Sequence, residues 1–257
     1  MIDIRHLTFG YGEKTILRDI SLTIKANSLT ALIGLNGVGK STLLGCLSKQ
    51  KKISSGDVWV DGKNIKDYSF NEYAKIVSIV PQLSSIAQVD NKVRDFLVEG
   101  RTPYLPSFAV PGIKEYVFSE KIAVKIGVDK FLDTEFNKLS GGEQQLVLIA
   151  RALVQDTPII LLDEPMSALD LKNQSFLLKI IKNLSKEGKT VLFSTHNPNH
   201  ALSLACDVCI IHNRSILGLG NASDVLSTYA IKEIYGSDIC VYEDEGMRRC
   251  EISEISD

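Results

Sequence analysis

The chain has 257 residues, of which 44% are hydrophobic and 23% are charged, and its formal net charge is -2 at pH 7. This balance is typical of a soluble globular protein, and no apolar run reaches the roughly eighteen residues that a helix needs to cross a bilayer. We therefore exclude a chain that spans a membrane by itself. The lack of a basic excess also argues against a large nucleic-acid surface, so we expect no DNA or RNA partner.

The first residues and the cysteines predict a cytosolic location. Residues 1–5 lack the basic start and the apolar core of a signal peptide. The five cysteines are scattered and odd in number, which favours reduced thiols over a disulfide framework. Only Cys206 and Cys209 have the spacing of a metal-binding pair. Because no second Cys or His pair lies at a matching distance, we interpret them as buried free cysteines.

The N-terminal part of the chain has the pattern of a sheet. Residues 2–24 alternate apolar and polar positions around a turn at residues 10–12, which predicts antiparallel strands. Residues 29–33 predict a buried strand, and residues 41–47 predict the helix that follows it. An Asp-Gly pair within residues 57–63 predicts a hairpin, and a short strand follows at 76–80.

A helical region then interrupts the sheet pattern. From about residue 83 to 153 the helical segments are separated by prolines, after which strands at 159–162 and 190–194 flank a helix at 171–185. This order predicts one α/β domain over 1–257. Its parts are a core lobe (about 1–82 and 154–240), an inserted helical lobe (about 83–153) and a polar C-terminal tail (about 241–257).

A glycine-rich loop follows the predicted strand at 29–33. Residues 34–41 have the sequence Gly-Leu-Asn-Gly-Val-Gly-Lys-Ser and fit the pattern G-x-x-x-x-G-K-[ST]. Backbone N–H groups of such a loop wrap phosphates, Lys40 would counter β- and γ-phosphate charge, and Ser41 would offer its hydroxyl to Mg²⁺. The loop predicts a bound nucleoside triphosphate with magnesium. Its expected ligands are Gly34, Asn36, Gly37, Gly39, Lys40, Ser41 and Thr42.

Two carboxylates follow the apolar strand at 159–162. Asp163 stands where P-loop ATPases hold Mg²⁺, and Glu164 is placed to act as a general base toward the attacking water. A carboxylate at a strand end can also be structural. Gln82 and His196 each come just after a predicted strand as well, and this set favours the catalytic interpretation.

The segment 139–145 has the sequence Leu-Ser-Gly-Gly-Glu-Gln-Gln. Ser140 and Glu143 fit the capping box S-x-x-E before the apolar run 146–153, so an ordinary helix start is one interpretation. A capped helix start with glycines is also a good anion site, because its first N–H groups are available.

Taken in order, the glycine-rich loop, the LSGG segment and the Leu-Leu-Asp-Glu-Pro run at 161–165 resemble the ATPase subunit of ATP-binding cassette (ABC) transporters. The resemblance runs from about residue 1 to 235. It implies a P-loop NTPase (RecA-like) core, an N-terminal antiparallel β subdomain and an inserted α-helical subdomain. It also implies that the triphosphate is ATP and that the chain hydrolyses it. Two departures, Met166 for the usual threonine and Val38 for a small residue, remove no catalytic group.

The resemblance implies roles for residues within one chain. Gln82 would be the glutamine that senses Mg²⁺ and water and links to the membrane partner, and His196 would be the switch histidine that contacts the γ-phosphate. Tyr11 fits the aromatic position that stacks on adenine, which is worth about 1 kcal/mol, although Phe9 is close enough to compete. The implied magnesium ligands are Ser41, Gln82 and Asp163.

The resemblance also implies a homodimer. The helix start at Ser140, Gly141 and Gly142 would clasp the γ-phosphate of ATP that is bound to a second subunit, and Asp170 would belong to the loop that communicates across the interface. One chain would then hold two half-sites. ATP binding would close the dimer and hydrolysis would open it.

Residues 91–104, which end in Gly-Arg-Thr-Pro-Tyr, resemble a segment of type II importers for iron chelates, haem, cobalamin or molybdate. The resemblance implies two polytopic permease subunits, a solute-binding protein that acts indirectly, and a location on the cytoplasmic face of the membrane. Arg101 and Tyr104 would then lie near the permease. The segment could instead be an exposed helix end stopped by a proline.

Two other function classes stay open. A soluble ABC ATPase, such as an iron-sulfur cluster assembly factor, has the same length and nucleotide motifs but drives scaffold proteins instead of a permease. A P-loop phosphotransferase of another class would leave the LSGG segment unexplained.

Overall fold

The computed structural model describes residues 1–85, 89–106, 108–236, 238–244 and 246–253. Its strands, in chain order, are β1 (Ile2–Tyr11), β2 (Lys14–Ile24), β3 (Leu29–Ile33), β4 (Ser55–Val60), β5 (Lys63–Asn64), β6 (Val77–Val80), β7 (Ile159–Leu162), β8 (Thr190–Thr195), β9 (Asp207–His212), β10 (Ser215–Asn221), β11 (Ile239–Asp244) and β12 (Met247–Ile252). Its helices are α1 (Lys40–Leu47), α2 (Phe70–Ala74), α3 (Val93–Val98), α4 (Ile113–Ile126), α5 (Gly141–Val154), α6 (Leu171–Lys186), α7 (Pro198–Leu204), α8 (Ala222–Val225) and α9 (Thr228–Tyr235).

The chain forms two compact units. The first comprises Met1–Asp67 and the described residues from Leu178 onward, and the second comprises the described residues of Tyr68–Leu177. The predicted lobe boundaries at about residues 83 and 153 both fall inside the second unit, which also includes β6 and β7. The assignment of lobes therefore stays a prediction.

The first unit begins with an antiparallel sheet whose strand order is β2-β1-β4-β5. The predicted hairpin at 57–63 is present, with Val60 paired to Lys63 around Asp61 and Gly62. The first turn lies one to two residues later than predicted, because Tyr11 still pairs with Lys14 and ends β1. Gly12, with a φ of 57°, then supplies the left-handed conformation that the turn requires.

The first unit also contains the strand order β10-β9-β3-β8. Strand β3 lies between β9 and β8 and is parallel to both, with Ile33 opposite Thr195. Every residue of β3 and β8 is buried, both the apolar runs at 31–33 and 191–193 and the hydroxyl-bearing residues beside them. Because β3 and β8 are parallel and in register, the loops that follow them leave from the same edge of the sheet.

The second unit pairs β6 with β7 and packs three helices together. The two strands are parallel, and Val80 lies opposite Leu162, so the chain leaves both strands at one edge. Helices α3, α4 and α5 contact one another. The ring of Phe96 lies 4.9 Å from that of Phe136, which precedes α5. This packing fixes the start of α5, where the LSGG segment lies.

The described residues of the predicted polar tail, at about 241–257, include regular structure. Its described residues, through Ser253, form the hairpin β11–β12, in which Asp244 pairs with Met247 and Gly246 has a φ of 76°. Strand β11 contacts α9, and β12 contacts α7. The composition is polar because most described side chains of the hairpin are exposed or only half-buried, while Cys250 is buried.

Candidate nucleotide-binding site

The loop after β3 is shaped by its glycines. A Cβ at Gly34 would lie 2.5 Å from the carbonyl oxygen of Ile211, and one at Gly39 would lie 2.8 Å from Leu17 Cδ2. Gly37 and Gly39 have φ values of 79° and 116°, which side chains disfavour. The loop thus needs glycine at positions 34 and 39 for space and at 37 and 39 for conformation. The result is a backbone cradle of the kind that binds phosphates.

Lys40 lies inside this cradle. Its side chain is buried, and its Nζ donates to the carbonyl oxygens of Gly34, at 2.8 Å, and Leu35, at 3.1 Å. Both contacts are to the loop itself, so the ammonium group is held beside the backbone that would wrap a phosphate. A cation in this place can neutralise phosphate charge without a large movement.

Helix α1 starts directly from the loop. Gly39 is its N-cap, and the backbone N–H of Leu43 donates to the Gly39 oxygen at 2.9 Å. Ser41 and Asn36 are exposed, and Thr42 is half-buried. The first-turn N–H groups and the Ser41 hydroxyl are thus available to an anion and its metal ion.

The two candidate aromatic residues differ in exposure. The Tyr11 side chain is 54% exposed, whereas Phe9 is 5% exposed, and their rings meet edge to face with centroids 5.0 Å apart. The Lys51 ammonium lies 5.1 Å from the Tyr11 ring centroid and donates to its hydroxyl. Phe9 is thus the buried ring that packs against Tyr11, and Tyr11 is the exposed ring that is available for stacking.

A polar cavity of about 280 Å³ adjoins the glycine-rich loop in the first unit. Two of the residues that line it are cationic, Lys14 at the start of β2 and Arg214 in the turn between β9 and β10. No local motif marks either position. The cavity is lined by Lys14, Thr15, Ile16, Gly37, Val38, Asn213 and Arg214.

His196 follows β8, as predicted, and its side chain is exposed. It leaves the same sheet edge as the glycine-rich loop, because β3 and β8 are parallel and in register. The preceding hydroxyl, Thr195 Oγ1, accepts from the backbone N–H of Asn197 at 3.1 Å and lies 2.9 Å from His200 Nδ1. These contacts order the loop that carries His196.

The second unit brings Gln82, Asp163 and Glu164 to one edge of the β6–β7 pair. The backbone N–H of Asp163 donates to the Val80 oxygen at 2.9 Å, and Gln82 follows two residues after Val80. Asp163 and Glu164 are both buried, whereas Gln82 is exposed. Carboxylate and amide oxygens thus occupy neighbouring strand ends, and their role at a magnesium and water site stays a prediction.

The LSGG segment forms a complete capping box at the start of α5. Ser140 Oγ accepts from the Glu143 N–H, and the Glu143 carboxylate accepts from the Ser140 N–H at 2.9 Å and hydroxyl at 2.8 Å. The bonds from Ser140 lower the pKa of Glu143. A Cβ on Gly142 would lie 3.3 Å from the Ala168 oxygen, so this glycine lies against the loop that leads to Asp170.

Asp170 caps the next helix. Its Oδ1 accepts from the Asn173 N–H at 2.8 Å, at the start of α6. Met166, which replaces the threonine usual at this position, is buried in the structure. Its backbone oxygen accepts from the Gln174 side chain at 3.3 Å.

Arg101 and Tyr104 have contacts within the second unit. Arg101 Nη1 donates to the Val154 oxygen at 3.2 Å, and the guanidinium carbon lies 4.1 Å from the Tyr104 ring centroid. The Tyr104 hydroxyl donates to the Asp156 oxygen at 3.3 Å, and burial raises the pKa of this phenol. These residues tie the 3-10 helix Glu99–Tyr104 to the end of α5. Their expected place beside a permease stays a prediction.

The remaining candidate metal pair consists of buried thiols. Burial raises the pKa of both Cys206 and Cys209 to about 12, so both stay neutral at physiological pH. Within the described ranges, no group of three or more His, Cys, Asp or Glu residues could hold a metal ion.

Among the helices of the described residues, none combines the length and the apolar character needed to cross a membrane.

Comparison with known proteins identifies the family. Residues 17–167 match the family described as ABC transporter. The petrobactin import ATP-binding protein of Bacillus subtilis (strain 168) is 31% identical over 249 residues, which is 96% of this chain and 98% of that protein. The chain belongs to the ABC transporter family. As an ABC ATPase it has the enzyme class that its motifs predicted.

Solved structures share the fold of this ABC protein. A chain from an inward-facing ABC transporter, assigned to the metal-chelate type, has a TM-score of 0.83 and 25% identity, covering 99% of this chain and 97% of that one. A dimeric ATP-binding cassette in a post-hydrolysis state, bound to ADP and Pi, has a TM-score of 0.76 and 25% identity, covering 86% and 99%. The predicted ABC ATPase fold class is confirmed.

Proposed function

We propose that this ABC protein is the ATP-hydrolysing subunit of an importer for an iron-siderophore, haem, cobalamin or molybdate. The observation that carries the proposal is that one chain has both an open glycine-rich loop and a capped LSGG helix start. Its similarity to an import ATP-binding protein over 96% of its length supports the direction of transport.

The first unit would bind most of the nucleotide. Tyr11 would stack on adenine, since its ring is exposed, and the loop backbone with Lys40 would hold the phosphates. The Ser41 hydroxyl, the Gln82 amide oxygen and the Asp163 carboxylate are oxygen donors of the kind that Mg²⁺ prefers, so the residues fit this ion. When bound, Mg²⁺ would neutralise charge on the β- and γ-phosphates.

Glu164 would orient the attacking water and accept its proton as the water oxygen bonds to the γ-phosphorus. The bond to the oxygen bridging the β- and γ-phosphates then breaks, which gives ADP and phosphate. Lys40 would stabilise the charge on the phosphate oxygens, and His196 would contact the γ-phosphate from the loop after β8. Burial of Glu164 supports this role, because a buried carboxylate at a strand end needs polar partners.

A second copy would complete each site. Ser140, Gly141 and Gly142 at the start of α5 would bind the γ-phosphate of the partner's ATP through backbone N–H groups and the serine hydroxyl. Asp170 would lie in the same interface, and the contact of Gly142 with Ala168 supports a shared surface for the two motifs. ATP would then join two copies, and hydrolysis would release them.

The partner in the membrane would be a pair of polytopic permease subunits, which would place this chain on the cytoplasmic face. The described part of the second unit exposes large apolar side chains just after residues 91–104, and exposed apolar groups of this kind are typical of protein interfaces. They are Phe108, Val110, Ile113 and Val117. A solute-binding protein would deliver the chelate to the permease and would not contact this subunit.

Purification of the chain from its native membranes in mild detergent tests this proposal. We expect a polytopic permease to accompany it in equal amount, identified by mass spectrometry. Recovery only from the soluble fraction, alone or with scaffold proteins, would contradict import and favour the soluble ABC ATPase. That outcome would leave the nucleotide-binding assignments in place.

A further inference from the structure

The C-terminal part of the first unit contacts the loop that carries His196. Helix α9 ends at Tyr235, and the hairpin β11–β12 follows it. Strand β12 contacts α7, the helix that begins two residues after His196. The chain therefore returns, at its C-terminal end, to the place where the switch histidine leaves β8.

Tyr235 makes the most direct of these contacts. Its hydroxyl donates to the backbone oxygen of His196 at 2.7 Å, across 39 residues of sequence. The distance is the usual one for an O–H···O hydrogen bond. Because the bond is made to the main chain, it restrains the backbone of residue 196.

Asn199 makes a second, two-point contact. Its Nδ2 donates to the Cys250 oxygen at 3.0 Å, and its Oδ1 accepts from the Cys250 N–H at 2.7 Å. The side-chain amide thus pairs with the backbone of β12 as another strand would. Since Asn199 lies in the first turn of α7, this pair fixes the far end of the His196 loop.

The loop is also held from its inner side. Thr195 Oγ1 accepts from Asn197 N–H, and Asn197 Oδ1 accepts from Asn199 N–H at 3.0 Å. These hydrogen bonds link residues within 195–199. The hydrogen bonds to Tyr235 and Cys250, in contrast, link the loop to α9 and to the hairpin β11–β12.

We propose that Tyr235 and Asn199 are positioning residues, through which the C-terminal helix and hairpin hold His196 in place for ATP hydrolysis. This inference rests on the proposed function, in which His196 contacts the γ-phosphate. A looser loop leaves the binding of ATP intact, because Tyr11 and the glycine-rich loop supply it. It lowers the turnover rate, because the imidazole is less often at the γ-phosphate.

The test compares Tyr235→Phe, which removes only the hydroxyl, with Tyr229→Phe on the same helix. Tyr229 is 76% exposed and serves as the matched control. We expect Tyr235→Phe to lower kcat for ATP by about two- to tenfold, the range for one lost hydrogen bond, with an unchanged KM. Tyr229→Phe should hydrolyse ATP at the wild-type rate.

A His196→Ala background separates positioning from general stability. If Tyr235 acts through His196, Tyr235→Phe lowers kcat no further in that background. An equal fractional loss with and without the imidazole overturns the inference. Asn199→Ala provides an independent variant with the same expected pattern, so the test survives if one variant folds poorly.

The two proposals fail in distinguishable ways. Wild-type turnover in His196→Ala would remove the proposed role of the switch histidine. Impaired turnover in His196→Ala, together with wild-type turnover in Tyr235→Phe and Asn199→Ala, would overturn only the positioning role. The nucleotide chemistry assigned to His196 would then stand without the C-terminal contacts.

Discussion

Glu164 combines burial with a backbone conformation that residues other than glycine rarely adopt. Its φ is 46°, and its backbone oxygen accepts from both the N–H of Ser167, at 3.1 Å, and the Ser167 hydroxyl, at 2.9 Å. Left-handed backbone at a residue of this kind costs on the order of 1–3 kcal/mol and persists where the surroundings fix it. The chain thus turns sharply after Asp163.

Tyr11 provides a direct test of adenine stacking. We expect Tyr11→Ala to weaken ATP binding about fivefold, because a stacked aromatic pair is worth on the order of 1 kcal/mol. Tyr11→Phe keeps the ring and loses only the hydroxyl that contacts Lys51, so its affinity should stay near that of the wild type. Titration with a fluorescent ATP analogue measures both, and equal losses in the two variants would argue against stacking.

The capping box at the start of α5 should make stability depend on pH. The hydrogen bonds from Ser140 lower the pKa of Glu143 from the ordinary value of 4.5. The folded state therefore binds this proton less tightly than the unfolded state. The resulting stability is present above that ordinary value and is lost as the pH falls through the lowered folded-state pKa.

Ser140→Ala removes the cap and should lower the free energy of unfolding by about 1 kcal/mol at neutral pH. The difference from the wild type should shrink under acid conditions, where the Glu143 carboxylate becomes protonated. Urea unfolding followed by circular dichroism, at neutral pH and at acid pH, measures this difference in the free energy of unfolding. A difference in unfolding free energy between the variant and the wild type that stays constant across the acid range would show that the Glu143 carboxylate takes no part.

At the scale of residues, the sequence predicted the groups whose chemistry is local. The glycine-rich loop and the capping box each lie within eight consecutive residues, so their spacing is visible without a structure. Tyr235 and Asn199 were not found, because their partners lie 39 and 51 residues away in the chain. A tyrosine at the end of an amphipathic helix carries no signal of a distant backbone oxygen.

Among the elements, the start of α4 and the residues just before it expose an unusual amount of apolar surface. Phe108 is fully exposed, and Val110 and Ile113 are 86% and 84% exposed. Exposed apolar side chains occur singly on most surfaces, but several close in sequence indicate an interface. In an importer subunit, this segment is our candidate for contact with the permease.

Phe108→Ser with Ile113→Ser should therefore weaken the association with the permease and leave ATP hydrolysis by the isolated subunit unchanged. Leu219→Ser is the control, since Leu219 is 49% exposed on β10, in the other unit. Co-purification from membranes measures association, and phosphate release measures hydrolysis. Equal recovery of permease with the double variant and the control would exclude this segment as the docking surface.

The elements most readily predicted were those with a distinctive local pattern. Strands β3, β7 and β8 have apolar runs, and the β4–β5 hairpin has an Asp-Gly turn, so each was found within two residues. The first turn was misplaced because Gly10 resembles a turn residue. A Cβ there would lie 2.7 Å from the Lys14 oxygen, so this glycine serves close strand contact instead. Hairpin β11–β12 was missed because its exposed strands lack apolar alternation.

For the whole molecule, the central proposal is that one chain carries the parts of two different half-sites. The glycine-rich loop and His196 belong to the first unit, and the LSGG helix start belongs to the second. The order of motifs was enough to predict the family and the fold class. It could not predict which solute is carried, because in the proposed importer the solute contacts the permease and its binding protein.

The most direct test of this account is the ATP-dependent mass of the Glu164→Gln variant, measured by light scattering. This variant should bind Mg-ATP without hydrolysing it, so the mass should rise from 28.3 kDa to twice that value. The same variant combined with Lys40→Ala should stay at the monomer mass, because it lacks the phosphate-binding ammonium group. A persistent monomer of Glu164→Gln at saturating Mg-ATP, with ATP shown to be bound, would contradict the paired half-sites.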